Sequence, residues 1–455
     1  STPDGVLLLV PEGVDSIRLS WAAGLLNSLP EIDLESPLER PLFVVTPQWA
    51  AAGAVAAASE MWLVESPLLE NLADFLVAEI ASGVAGSKQD CLDLLSFSFL
   101  FHRLRENPSF YGLADPAGVA AFLSSRVDSA LEELSSLGCV ESTDEGLESR
   151  PLAAISAFHG ILPASAAHLA ASTANLRGWR RLFSLLLEID EFGAPFDAPG
   201  LRARAAELEF AAPLDWETSN ACVFVLLQLY LQREDLGDLA IQMPNILSSV
   251  RRVLAALVDV CAALATPGTL TPTLLALRMG QCLAVQVSPS ASPLLQFPGF
   301  GPTEIAAATG RGVSSPNEFL SADEETRAEI IKALSDTQIA KVAEFANRFP
   351  VVSAEASVVS IAEDEVKLAV SIEKEGDPEV DSESKGWWLI VAEGDSCLVA
   401  KKIEAFESRV DREINVPLSE GIKGRIELKI FVVSEFYIGA DEEKGGIVVE
   451  IPEST

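Results

Sequence analysis

The sequence predicts a multidomain chain, mainly α-helical, that ends in a β-sandwich. Three observations carry this. The 455 residues are 49% hydrophobic, enough to form cores in roughly three to four domains of ~100–150 residues. Apolar residues recur at helical spacing from about residue 66 to about residue 350. From residue 351 onward the apolar period drops to two, the period of strands.

Residues 1–65 mix both signals. "GVLLLVP" (5–11) and "PLFVVTP" (41–47) read as short buried strands stopped by proline, and "AAAGAVAAASEMW" reads as a helix after the second. This is part of an α/β layer, too short to be a whole one. Residues 66–151 predict three helices and a hairpin. The first helix carries Leu68, Leu69, Leu72, Phe75, Leu76 and Ile80 on one face. The second, over 87–107, has Ser87 as N-cap, basic residues in its last turn, and Pro108 to end it. The third stops at Gly138, a C′ residue, and "CVESTDEGLESRPL" alternates weakly around a turn. Three helices and a small hairpin make a winged-helix layout.

Residues 152–292 predict a helical bundle. Its longest helix, "NILSSVRRVLAALVDVCAAL" (245–264), places Ile246, Val250, Val253, Leu257, Val258, Cys261 and Leu264 on one apolar face. A further helix follows in "TPTLLALRMGQCLAVQV", with Pro272 in its first turn. Residues 293–350 predict a helix-loop-helix with two capping boxes, Ser321 with Glu324 and Ser335 with Gln338. Residues 351–455 hold about seven short strands, as in an immunoglobulin-like sandwich. Trp387 and Trp388 stand side by side on one of them. Consecutive strand residues point to opposite faces. One of the two tryptophans is therefore expected in the sandwich core, and the other faces outward against a neighbouring module or partner; Leu389 and Val391 share a face with Trp387, and Ile390 shares one with Trp388.

Motif searches for chemistry return nothing. No G-x-x-x-x-G-K-[ST] stretch exists to cradle phosphates, and no DEAD- or DEAH-type magnesium motif occurs. "GFGPTEI" (299–305) reads as a helix-start turn. His102, His159 and His168 do not cluster, so neither a metal nor a cofactor is expected, and no catalytic residue is assigned. Six dispersed cysteines in apolar contexts predict reduced, buried thiols. No run of eighteen apolar residues occurs, the opening residues lack a basic signal-peptide region, and no membrane association is expected. The net charge of −35 repels phosphate backbones and favours protein partners. Basic residues gather in the bundle at Arg177, Arg180, Arg181, Arg202, Arg204, Arg251 and Arg252. They fit either contact with RNA or an acidic partner, or helix-surface charge paired with Asp and Glu.

Four stretches carry a family resemblance over residues 62–455. "SKQDCLDLLSFSFLFHRLRENPSFYGL" (87–113) ends in Arg103, Arg105, Asn107, Pro108, Phe110, Tyr111 and Leu113. "LSDTQIAKVAEFANRFP" (334–350), "GWWLIVAEGDSCLVAKKI" (386–403) and "SEFYIGADEE" (434–443) follow. Together they resemble the Sec-sixty-three homology unit of large two-cassette superfamily 2 RNA helicases, as found in the catalytically silent C-terminal cassette of the spliceosomal U5 snRNP members. The last stretch departs from the family's Ser-Asp-x-Tyr-x-Gly-Cys-Asp turn at Glu435 and Ala440.

The resemblance implies a partial or degenerate RecA-like segment at 1–65, then winged helix (66–151), helical or ratchet bundle (152–292), helix-loop-helix (293–350) and immunoglobulin- or fibronectin-III-like domain (351–455). It implies a pseudo-helicase module, not itself an enzyme, that serves as a protein-interaction platform and modulates an RNA helicase in spliceosome activation in the nucleus. The expected partners are the N-terminal cassette of the same protein and other spliceosomal proteins, with RNA contact weak or absent. Helix 245–264 matches the family's strand-contacting helix, and its polar side offers Ser248, Ser249 and Arg252 beside Asp259. Asp441, Glu442 and Glu443 are the expected acidic face for basic partner segments. Two alternatives stay open: the equivalent cassette of a ribosome-rescue or cointegrator-type helicase, and a single-stranded-RNA-binding fragment of an active helicase.

Overall fold

The computed structural model of the chain describes residues 65–192, 199–362, 364–375, 386–404, 406–418 and 424–451. The expected RecA-like segment falls on residues 1–64, outside the described residues.

The N-terminal part contains α1 (Leu72–Ala81), α2 (Lys88–Ser96), α3 (Phe99–Glu106), α4 (Val119–Ser136) and the antiparallel hairpin β1 (Val140–Thr143) and β2 (Gly146–Ser149). Leu76, Leu95, Leu104, Val127 and Leu134 form its core. Gly138 takes a φ of +70° just beyond α4, as its C′ role requires. The expected single helix over 87–107 is instead two. Ser98 breaks it: its hydroxyl donates to the Leu95 carbonyl at 2.6 Å and accepts from the Phe101 N–H at 3.3 Å. One serine thus closes one helix and caps the next. The break leaves Phe97 91% exposed.

The residues that mark this stretch converge on Glu65. Its carboxylate accepts from Arg103 Nε and Nη2 at 3.1 and 2.8 Å, from Asn107 at 2.7 Å and from the Tyr111 hydroxyl at 2.9 Å. The hydrogen bond from Arg103 leads in holding the Glu65 carboxyl down at about 2. The motif is therefore a cradle for one carboxylate that pins the lead-in chain to the end of α3.

The bundle contains α5 (Pro151–His159), α6 (Pro163–Ser172), α7 (Trp179–Leu187), α8 (Pro199–Arg204), α9 (Ser219–Leu231), α10 (Met243–Leu264) and α11 (Leu270–Val285). Helix α9 is apolar all round and buried on every side, as such a helix must be. Helix α10 buries Ile246, Val250, Val253, Leu257, Val258 and Cys261 as expected. Leu264 departs from that face and is exposed, because α10 ends one residue later at Ala265 with a φ of +46°. The six cysteines are buried thiols, none of them in a disulfide among the described residues. Burial pushes the Cys91, Cys139 and Cys397 thiols up to about 11 and those of Cys261 and Cys282 to about 12.

Next come α12 (Pro302–Thr309), α13 (Pro316–Ser321), α14 (Glu324–Ile330) and α15 (Asp336–Arg348), around Phe297, Phe300 and Phe319. The "GFGPTEI" turn starts α12, with Gly301 as its N-cap. The Ser335–Gln338 box forms as expected. The Ser321–Glu324 box does not: Ser321 closes α13, and Asp323 caps α14 by accepting from Thr326 N–H at 2.8 Å. A carboxylate two residues closer to the helix start outcompetes the serine. Ser315 and Glu318 form a box that the sequence reading missed.

The C-terminal region contains β3 (Val351–Ile361), β4 (Glu365–Glu375), β5 (Trp387–Glu393), β6 (Ser396–Ile403), β7 (Arg409–Pro417), β8 (Gly424–Ser434) and β9 (Glu442–Ile451). They form two antiparallel sheets, ordered β3-β4-β7 and β6-β5-β8-β9, over one apolar core. Strand β5 alternates as expected. Trp387, Leu389 and Val391 enter this core. Trp388, Ile390 and Ala392 join the core of the helical bundle. The strand is buried on both faces because a helix layer covers the second one.

Candidate interaction site at the junction of long helix and sheets

Helix α10 runs between α5 and the sheets, and its polar side is closed by neighbours. Arg252 donates to the Gly160 carbonyl at the end of α5 (2.8 Å) and to Ser249 Oγ (3.2 Å). Asp259 meets His159 Nε2 at 2.7 Å. Of the three candidate RNA- or partner-contacting residues, only Ser248 is exposed without a tether; Ser249 and Arg252 are held in the α5–α10 contact. Several other basic residues of the bundle are engaged likewise; exposed Arg251 is not. Arg177 donates to the Gly268 carbonyl, Arg180 to Ala211 O, and Arg204 to Asp235 O and to Glu234. Arg181 pairs with Glu188, and Arg202 lies over the Trp216 ring.

The expected acidic face is taken apart. The Asp441 carboxylate turns inward and accepts from Ser434 N–H at 2.9 Å and from Gln281 of α11 at 2.7 Å. Burial raises its pKa to about 6. Both bonds hold it within the fold; the turn motif, not the acidic run, decides its direction. Glu442 is half-buried, and exposed Glu443 pairs with Lys429 at 2.9 Å.

That turn, Ser434–Asp441, joins three layers. Ser434 Oγ accepts from the N–H groups of Phe436 and Tyr437. Gln281 also donates to Ser434 O at 2.9 Å. Gln296 exchanges hydrogen bonds with the backbone of Ile438, and Asn317 of α13 donates to Gly439 O. Tyr437 packs edge-on to Phe345 and Phe349. On the opposite side, the Asp395 carbonyl at the β5–β6 turn accepts from Gly268 and Leu270 N–H at the start of α11.

Beside the Ser434 turn lies a groove of about 830 Å³. Buried Trp388 of β5, Leu254 and Leu277 of the helices, and Phe158, 82% exposed, line it. Arg251, Lys402, Asp259 and Glu435 supply its charges. Sequence reading found Trp388 and Arg251 but could not join them, since they lie on elements 137 positions apart in the chain. Phe158 gave no signal, because a lone phenylalanine at a helix end reads as core.

Comparison with known proteins places these observations. Residues 198–445 match the family described as the Sec63 Brl domain, and residues 65–144 match a winged helix-turn-helix domain family. The chain is similar to the pre-mRNA-splicing factor brr2 of Schizosaccharomyces pombe, 28% identical over 411 residues, covering 84% of this chain and 18% of that protein. It is 27% identical over 415 residues to the human U5 small nuclear ribonucleoprotein 200 kDa helicase, again covering 84% of this chain and 18% of the relative. Against the DExH-box ATP-dependent RNA helicase DExH12 of Arabidopsis thaliana it is 27% identical over 416 residues, covering 84% and 19%. The chain thus spans about a fifth of the length of these relatives. The Sec63 match covers more than half of the chain, and this chain belongs to the Sec63 Brl domain family.

Proposed function

We propose that this chain is a non-catalytic helicase-cassette module that acts in pre-mRNA splicing in the nucleus, as a platform for proteins and a modulator of the RNA helicase to which it belongs. The observation that carries the reading is the closure of the polar side of α10. A helix that grips a moving strand needs cations free to meet phosphates. Here Arg252 is bonded to Gly160 and Asp259 to His159. The net charge of −35 supports the same reading, as does the similarity to splicing helicases. The strand order of the two sheets supports an immunoglobulin-like sandwich at 351–455, following a winged helix (66–151), a bundle (152–292) and a helix-loop-helix (293–350). The partners proposed are the N-terminal cassette of the same protein and other splicing proteins. Glu442 and Glu443, without Asp441, remain the part of the acidic edge open to a basic segment.

Fluorescence anisotropy with a fluorescein-labelled single-stranded oligouridine at low salt tests this. No saturable binding is expected. Tight binding that falls steeply with salt would refute the platform reading in favour of an RNA-gripping fragment. A parallel capture assay with the N-terminal cassette should succeed with the unmodified chain.

A further inference from the structure

The groove between α10, α11 and strands β5, β6 and β8 includes the His159–Asp259 pair in its lining but extends beyond it to the sheet. We propose that it is a docking site for a short acidic peptide segment of a protein partner, carrying one bulky apolar anchor residue. This rests on the platform reading, because it takes the partner to be a protein.

The space is built, not incidental. Helix α11 lines the groove with Ala276, Gly280 and Ala284 at a spacing of four residues, so little side-chain volume from this stripe fills it. A Cβ added at Gly280 meets no atom within 4 Å. The resulting volume, about 830 Å³, lies within the roughly 300–1,000 Å³ range of pockets that enclose a small ligand or anchor side chain. Its surface is mainly apolar, with buried Trp388 in its lining. Phe158, also in the lining, is left in water, an arrangement that favours contact with a further apolar group.

Charge selects the occupant. Asp259 is engaged by His159 at 2.7 Å and Glu435 by Lys402 at 2.7 Å. Arg251 lines the groove with no acidic partner within 4.0 Å among the described residues. Lys401 of β6 lines it too, exposed and with no acidic partner within 4.0 Å among the described residues. A chain of net charge −35 thus carries a local positive rim around an apolar pit. Carboxylates on a peptide answer the rim, and an aromatic or branched aliphatic side chain answers the pit. A nucleic-acid strand fits less well: it needs cations continued along its path, and the neighbouring Arg177, Arg181 and Arg204 are already engaged.

The test is fluorescence anisotropy on the full chain with a labelled peptide Asp-Glu-Asp-Phe-Glu-Asp-Glu. Its controls are the same peptide with Ala in place of Phe, and a labelled oligouridine. Saturable binding of the Phe peptide is expected, at least about tenfold weaker for the Ala peptide. Arg251→Glu should weaken the Phe peptide by a similar factor, and Gly280→Phe should abolish binding by filling the groove. Circular dichroism of every variant controls for folding. Absence of peptide binding, or binding indifferent to both Arg251→Glu and Gly280→Phe, overturns the inference. If oligouridine also fails to bind, the platform reading stands without the groove. If oligouridine binds and Arg251→Glu abolishes it, both fall.

Discussion

Replacing Asp441 by Asn should make the protein more stable at neutral pH, although it removes a half-buried, doubly hydrogen-bonded carboxylate. Both bonds, from Ser434 N–H and Gln281 Nε2, end on the same oxygen, Oδ1, which an Asn keeps. Burial raises the folded pKa from 3.8 to about 6. The folded state therefore holds a proton more tightly than the unfolded chain. The stability linked to this group is fully present below 3.8, and is lost as pH rises through about 6. At ~1.4 kcal/mol per pH unit, the difference amounts to about 3 kcal/mol at pH 7.5. The Asn Nδ2 group loses about 1 kcal/mol for want of a partner, which leaves a net gain of about 1–2 kcal/mol. Urea unfolding of both proteins at pH 7.5 and pH 4, followed by tryptophan fluorescence, measures it. The midpoint of Asp441→Asn should exceed that of the unmodified chain at pH 7.5, and the advantage should vanish or reverse at pH 4. A deficit of equal size at both pH values would refute the reasoning, since it would mean that the charge itself holds Gln281 and Ser434 in place.

Glu65→Ala removes the acceptor shared by Arg103, Asn107 and Tyr111; calorimetry should show the winged-helix region melting at least about 5 °C lower. Because the folded Glu65 pKa is depressed to about 2, its contribution is present above 4.5 and lost as pH falls toward 2, so the gap between variant and unmodified chain should narrow on acidification. Trp388→Ala should cost about 3–5 kcal/mol at the contact between sheets and bundle, seen as faster proteolytic release of the C-terminal region. Gly280→Ala should add about 0.5–1 kcal/mol to the stability of α11, read as a raised urea midpoint, because helix propensity improves while the new methyl meets nothing.

What the sequence disclosed depended on how local the governing physics is. Trp387 and Trp388 were assigned to opposite faces correctly, because strand alternation is a property of consecutive residues. The Ser335–Gln338 box and the C′ role of Gly138 were legible for the same reason. Ser98 was not. Ser98 lies inside a run of helical period, and only the competition between its hydroxyl and the backbone splits α2 from α3. Asp441 reads as one of three acidic residues in a row, yet its direction is set by Gln281, 160 positions earlier in the chain. Arg252 looked free for the same reason: its partner carbonyl, Gly160, lies on another helix. The groove was beyond reach altogether, since small residues such as Ala276, Gly280 and Ala284 signal close packing as readily as space.

The arginines of the bundle explain how an acidic chain keeps a helical core together while offering little to phosphate. A guanidinium carries donors in a rigid fork and matches the carbonyls left unpaired at helix ends. Arg252 meets the end of α5 at Gly160. Arg233 meets the end of α11 at Val285 and Gln286, and reaches Leu295 as well. Arg177 meets Gly268 just before α11 starts. Each bond links elements at least 50 positions apart, at a point where the C-terminal end of a helix dipole, or a loop carbonyl, favours a cation. A charge placed there is held for tertiary structure and is costly to move. Basic residues on a helix of this family therefore carry no information about RNA until their carbonyl partners are known. Arg251, which has no such partner, is the one on α10 whose charge is available to something else.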